Sequence, residues 1–140
     1  MSTIIQQVTD VQARNVIRCL TLTEEEVWAM EYCFSMSSVI WVGFIDGELA
    51  CIWGLIPPTL LSNQAYLWLY TTSVIQGHSF ILVRHSQLMM EEILKRYKSV
   101  VGHVMFGKGD SKAVRWLKWL GAKFGEPEAK GVPFRITRNG

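Results

Sequence analysis

Residues 39–56 read Val39-Ile-Trp-Val-Gly-Phe-Ile-Asp46-Gly47-Glu-Leu-Ala-Cys-Ile-Trp-Gly-Leu-Ile56. Two β-rich runs, 39–45 and 48–56, meet at Asp46-Gly47, a pair that suits a type I′ turn because both central residues need positive φ. The spacing therefore predicts a tight antiparallel hairpin. Its arms are apolar at almost every position, which indicates strands covered on both faces. Pro57-Pro58 ends the second arm, since proline brings no N–H to a ladder. Past a polar loop, residues 65–72 alternate with period two. Tyr66, Trp68 and Tyr70 fall on one face, and Leu67, Leu69 and Thr71 on the other.

Upstream of the hairpin the pattern changes to helical. Thr9-Asp10 can cap a helix whose apolar positions are Ala13, Val16, Ile17 and Leu20. Thr23 with Glu26 three residues on is a capping-box signature, and Glu24, Glu25 and Glu26 suit the positive end of a helix dipole. Val27, Met30 and Phe34 are expected to point inward. Downstream, a long helix runs from His78 or Ser79 to Tyr97, with Leu82, Met89, Ile93 and Tyr97 as its expected buried stripe. A strand follows at 99–106. Asp110 or Ser111 then caps a helix carrying Ala113, Trp116, Leu117 and Leu120 inward, with Gly121 as a natural C′ residue. Lys112, Arg115 and Lys118 lie on its outer side, and Trp119 falls with them. Short strands at 122–125 and 132–137 close an α/β chain, a mixed sheet with helices on both faces.

Composition agrees with one packed domain over residues 1–140. Apolar residues make up 49% of the chain and charged residues 19%. A chain of this length buries roughly two-thirds of its unfolded surface without metal or disulfide staples. The low charge and six tryptophans exclude a disordered chain. No signal-peptide pattern follows Met1, and the best apolar run, 49–61, falls short of the ~20 residues of a membrane span. Three scattered cysteines in apolar surroundings (Cys19, Cys33 and Cys51) suit buried reduced thiols of an intracellular protein. Charge is unevenly placed. Residues 1–83 hold seven acids and two arginines, net −5, whereas residues 84–140 hold twelve Lys/Arg and five acids, net +7.

The hairpin, the strand–helix–strand centre and the run Asp110-Ser-Lys-Ala-Val-Arg-Trp-Leu-Lys-Trp-Leu-Gly121 resemble the GNAT superfamily of N-acetyltransferases. More narrowly, the stretch from Ser79 to Phe134 is similar to the small acetyltransferase-like proteins of short-tailed phages and prophages, the internal virion protein A group. The shared features are Lys95-Arg96-Tyr97, the run from Arg115 to Gly121, and Gly131-Val132-Pro133-Phe134-Arg135. The superfamily resemblance implies acetyl-CoA lying between the strand at 65–72 and the one at 99–106. It puts Tyr70, Thr71 and Thr72 beside the pantetheine arm, and Gly77, Arg84 (or His85) and Asp110 toward the phosphates and the following motif. The phage-group resemblance implies a role in virion morphogenesis or internal-protein assembly, in the host cytoplasm and associated with the virion, with other phage or host proteins as partners.

The sequence departs from the superfamily pattern at two places. The phosphate loop has one glycine, Gly77, and bulky residues where small ones belong. The later motif has Leu117 where the family carries a tyrosine that protonates the departing thiolate. No carboxylate lies in the strand at 65–72 to take the amine proton; Tyr70 and His103 are the substitutes at hand. The expectation is an acetyltransferase fold with a degenerate CoA loop that requires no cofactor, and with a protein-contact face of Lys112, Arg115 and Trp119. The alternative is an active N-acetyltransferase acting on a protein amine with acetyl-CoA. A third class, a small nucleic-acid-binding module, draws only on the basic half. His78 and His85 lack a third ligand nearby, so no metal is expected. The 107–112 turn lacks Walker spacing.

Overall fold

Both helix caps form where the sequence puts them, and the first is a full capping box as well. Thr9 Oγ1 accepts from the Gln12 N–H at 3.1 Å while the Gln12 side chain accepts from the Thr9 N–H, and helix α1 spans Asp10–Val16. Thr23 and Glu26 do the same at the start of α2, Glu24–Met36. The structure, a computed structural model, describes residues 3–58, 64–75, 79–104, 111–126 and 132–137.

The sequence reading gave residues 3–8 no element, yet they form strand β1 (Thr3–Val8), paired antiparallel with β2 (Val39–Ile45). Only Val8 of this edge strand is fully buried, so its alternation is too weak to declare itself. The hairpin of β2 and β3 (Glu48–Ile56) turns at Asp46 and Gly47, with φ of 50° and 83°. A register shift opposite Gly43 and Phe44 leaves Ala50 as an extra residue in β3. Strand β4 (Ala65–Thr71) pairs with β3, and helix α3 (Ser79–Arg96) crosses over to β5 (Ser99–Val104). After α4 (Ser111–Trp119) come β6 (Lys123–Phe124) and β7 (Val132–Thr137). The sheet order is β1-β2-β3-β4-β5-β7-β6, and the one parallel pair is β4–β5.

One core lies between the sheet and α1/α2, built on Phe34, Val42, Ile52 and Trp68. The other lies toward α3/α4, on Trp53, Leu67, Val100, Trp116, Leu117 and Ile136. α4 ends in a Schellman motif: Gly121 N–H donates to Lys118 O at 3.0 Å and Ala122 N–H to Leu117 O at 2.9 Å.

Three packing expectations need correction. Val27 is exposed, because the first turn of α2 lines an open groove with Leu22 and Trp28. Among the described side chains of α3, Ser86, Met90 and Leu94 are fully buried, whereas Met89, Ile93 and Tyr97 are half-buried. α3 meets both the sheet and α4, so its buried arc is wider than one stripe and centred beside the expected one. The side chain of Leu82 lies outside the described residues. Cys19 is exposed, since it sits in the 3-10 turn after α1; Cys51 is buried and Cys33 half-buried.

Burial pushes the Cys33 thiol up to about 11 and the Cys51 thiol up to about 12. Thiolates are the reactive form. A native-state alkylation at neutral pH, read by mass spectrometry, should therefore add one label, at Cys19, and three after denaturation. Rapid double labelling of the native chain would contradict this packing.

Candidate functional site

The parallel pairing of β4 with β5 is limited to Ala65–Val100 and Tyr66–Val101. Beyond that rung the strands diverge, so β4 from Leu67 onward has no β-ladder partner on that side among the described residues. The divergence begins at Gly102. The carbonyl of Leu67 lies 2.2 Å, and the Phe134 ring 2.6 Å, from where a Cβ on Gly102 would stand. Only a residue without a side chain lets these groups meet there.

The two sides of this fork differ. Toward α3 and α4 is an apolar cavity of about 30 Å³, lined by Trp53, Leu67, Leu69, Met90, Trp116 and Leu117 among others. Nε1 of Trp116 is buried beside it and makes no hydrogen bond among the described residues. Toward α1 and α2, Tyr66 and His103 reach across from β4 and β5, with Tyr66 Oη 2.9 Å from His103 Nδ1. Burial, with Cys33 nearby, pushes the Tyr66 phenol up to about 12, so it keeps its proton at neutral pH. The pair can pass a proton between a bound group and the ring. Tyr70, two pleat repeats further along β4, is also raised, chiefly by burial and secondarily by the negative charge of Glu26.

Tyr70, Thr71 and Thr72 gather at the open end of β4. The Thr72 hydroxyl is engaged by the chain itself: it donates to Leu49 O at 2.5 Å and accepts from the Val74 N–H at 3.3 Å, while the Thr72 N–H donates to Ala50 O. The β3 bulge thus has its freed carbonyls satisfied by Thr72. Arg84 is exposed on α3. Nδ1 of His85 is buried without a hydrogen bond among the described residues. Gly77 and Asp110 lie outside the described residues, as does the Lys112 side chain. Arg115 is exposed on α4 and Trp119 is 59% exposed. Leu117, which the sequence resemblance sets against a tyrosine, is 2% exposed within the core.

A sheet forked between a parallel pair, with two helices on each face, identifies the architecture. The chain has the GNAT acetyltransferase fold. A GNAT-family acetyltransferase from Desulfovibrio desulfuricans superposes over 97% of this chain and 99% of its own, with a TM-score of 0.66 at 10% identity. The PaiA N-acetyltransferase of Thermoplasma acidophilum, solved with coenzyme A, covers 98% and 99%, at TM-score 0.62 and 13% identity. The Escherichia coli ribosomal-protein-S18-alanine N-acetyltransferase covers 97% and 94%, at TM-score 0.60 and 13% identity. By sequence, the chain matches no family model and no curated protein.

Tyr66–His103 is the polar pair at the base of this fork. The sequence had put His103 forward but not Tyr66 beside it. Their common face follows from the β4–β5 register, which no local pattern states. Among the described residues, no group of three His, Cys, Asp or Glu could hold a metal, and no helix is long and apolar enough to cross a membrane.

Proposed function

We propose that this chain uses the GNAT fold as a protein-contact module in virion morphogenesis of a short-tailed phage, with its acyl-transfer apparatus given over to packing. Leu117 carries the reading. The residue where the family pattern has its proton-donating tyrosine is a core side chain, 2% exposed and packed with Trp116 and Phe134. The small apolar cavity on the same side of the fork supports it, being filled by Trp53, Met90 and Trp116 down to about 30 Å³. So does the single glycine of the 74–85 loop. The resemblance to the internal virion protein A group supplies the setting: the host cytoplasm during assembly, then the particle. The contact face is Lys112, Arg115 and Trp119, and its partners are other phage or host proteins.

Two experiments test this. Titration calorimetry with acetyl-CoA should give no heat up to millimolar ligand; micromolar binding followed by acetyl transfer to an amine overturns the reading. An infection lacking this chain should yield particles deficient in internal proteins, and a normal infectious yield overturns the morphogenesis role.

One observation favours a second reading, an acetyl-CoA-dependent N-acetyltransferase acting on a protein amine: the Tyr66–His103 pair at the base of the fork. The amine nitrogen would attack the thioester carbonyl and the C–S bond would break. Tyr66 would take the amine proton as its own passes to His103 Nδ1, and coenzyme A would depart as its thiolate, leaving the amide and a protonated imidazole. On this reading Tyr66→Phe and His103→Ala each lower transfer by about 10²–10⁴-fold, in a thiol-release assay with acetyl-CoA. Unchanged rates in both variants would exclude the pair from catalysis.

A further inference from the structure

Helix α2 is apolar on both sides. Met30 and Phe34 enter the core, yet Trp28 is 72% exposed, Tyr32 is 53% exposed, and Met36 is exposed with them. Glu24, Trp28, Tyr32 and Met36 are four residues apart, so they form one stripe along the outer face. The Trp28 and Tyr32 rings stack, with centroids 6.2 Å apart and planes 18° from parallel. Beside them is an open groove of about 390 Å³ edged by Leu22, Val27, Glu24 and Glu31. A helix with a second apolar face, rimmed by acids and bearing a large aromatic, has the composition of an interface core rather than of a solvated surface.

The complementary surface is on the same molecule. On the opposite side of the sheet, α4 exposes Trp119, Arg115 and Lys118. Glu24 and Glu25 on α2, and Arg115 and Lys118 on α4, have no ion-pair partner among the described residues. The −5 and +7 halves of the chain give the two faces opposite fields. We propose that a second copy of this chain covers the α2 stripe, its α4 face seating Trp119 and Arg115 against Trp28, Tyr32 and the acidic rim. Arginine over an exposed indole adds a cation–π contact to the charge match. Two different patches on opposite faces make the contact heterologous: each copy has one donor and one acceptor surface, so association runs head to tail into a ring or a filament. This deepens the reading of α4 as a protein-contact face by naming what it contacts.

Sedimentation velocity on the full chain tests it. The wild-type mass should rise with concentration past that of a dimer, and 0.5 M salt should weaken assembly about tenfold or more, since exposed charges are screened within a few ångströms. Trp28→Ala and Trp119→Ala should each stay monomeric with unchanged circular dichroism. An equimolar mixture of the two should form dimers and nothing larger, because it contains one intact pair of surfaces per two chains. A wild type that stays monomeric to millimolar concentration overturns the proposal, as does assembly of either variant alone or a mixture without dimers. That failure is separate from failure of the α4 reading, for which Trp119→Ala would have to leave infectious yield unchanged.

Discussion

Replacing Trp116 by alanine should cost about 3–5 kcal/mol of folding stability. The ring is 6% exposed, packs in the α3/α4 core and lines the cavity at the fork. Truncation would enlarge a void that already exists between rigid elements, and the penalty grows by about 24 cal/mol per Å³ of cavity that fails to collapse. Trp119→Ala, one turn further along α4, removes an exposed ring and should leave the unfolding midpoint nearly unchanged. Trp116→Phe is the informative intermediate. Nε1 makes no hydrogen bond among the described residues, so deleting its N–H removes a buried unsatisfied donor and offsets part of the lost area. Urea denaturation should place Trp116→Ala lowest, Trp116→Phe between, and Trp119→Ala closest to the parent chain. Equal effects of alanine at 116 and 119 would mean that α4 does not present the face described.

Gly102→Ala should be nearly as damaging, through the opposite mechanism. The new Cβ would stand 2.2 Å from the Leu67 carbonyl and 2.6 Å from the Phe134 ring. A flexible side-chain end could retreat from such a clash, but the carbonyl is main chain at the last point where β4 and β5 still touch. Overpacking of a well-filled core costs about 1–3 kcal/mol, and a main-chain obstacle puts this site at or above the top of that range. For a chain of this size, 3 kcal/mol lowers the thermal midpoint by roughly 10 °C. Differential scanning calorimetry checks it, with Ser at 102 expected to behave like Ala. A melt unchanged by Gly102→Ala would show that the strands do not approach there.

The local signals were legible and the non-local ones were not. Asp46-Gly47, the Thr9 cap, the Thr23–Glu26 capping box and Gly121 each act within four residues, and the structure has them where the sequence puts them. The alternation of 65–72 correctly divided Tyr66, Trp68 and Tyr70 from Leu67 and Leu69. β1 escaped notice because an edge strand with one buried side chain needs no apolar period. The buried arc of α3 was misplaced because its direction depends on α4, a partner distant in sequence. The fork was legible only through family resemblance. The close approach of the Leu67 carbonyl to Gly102 at the root of the fork joins residues 35 apart, and the Tyr66–His103 contact joins residues 37 apart. Trp119 was correctly read as exposed, whereas Trp28 and Tyr32 were not singled out, although their spacing from Glu24 was available.

The two-rung junction between β4 and β5 also orders the chain in time. β2, β3 and β4 are joined by antiparallel neighbours close in sequence, and with β1, α1 and α2 they hold an entire core within residues 3–71. The remaining strands need a helical crossover to reach β5 and then the insertion of β7 between β5 and β6. Short-range pairings close at lower entropic cost and form sooner, and the N-terminal part leaves the ribosome first. The first half should thus assemble while the rest is still being made, presenting β4 as a bare edge until α3 and β5 arrive. During that interval the nascent protein is most open to capture by another strand, and the near-uncharged run from Tyr32 to Val83 offers few charges to deter it.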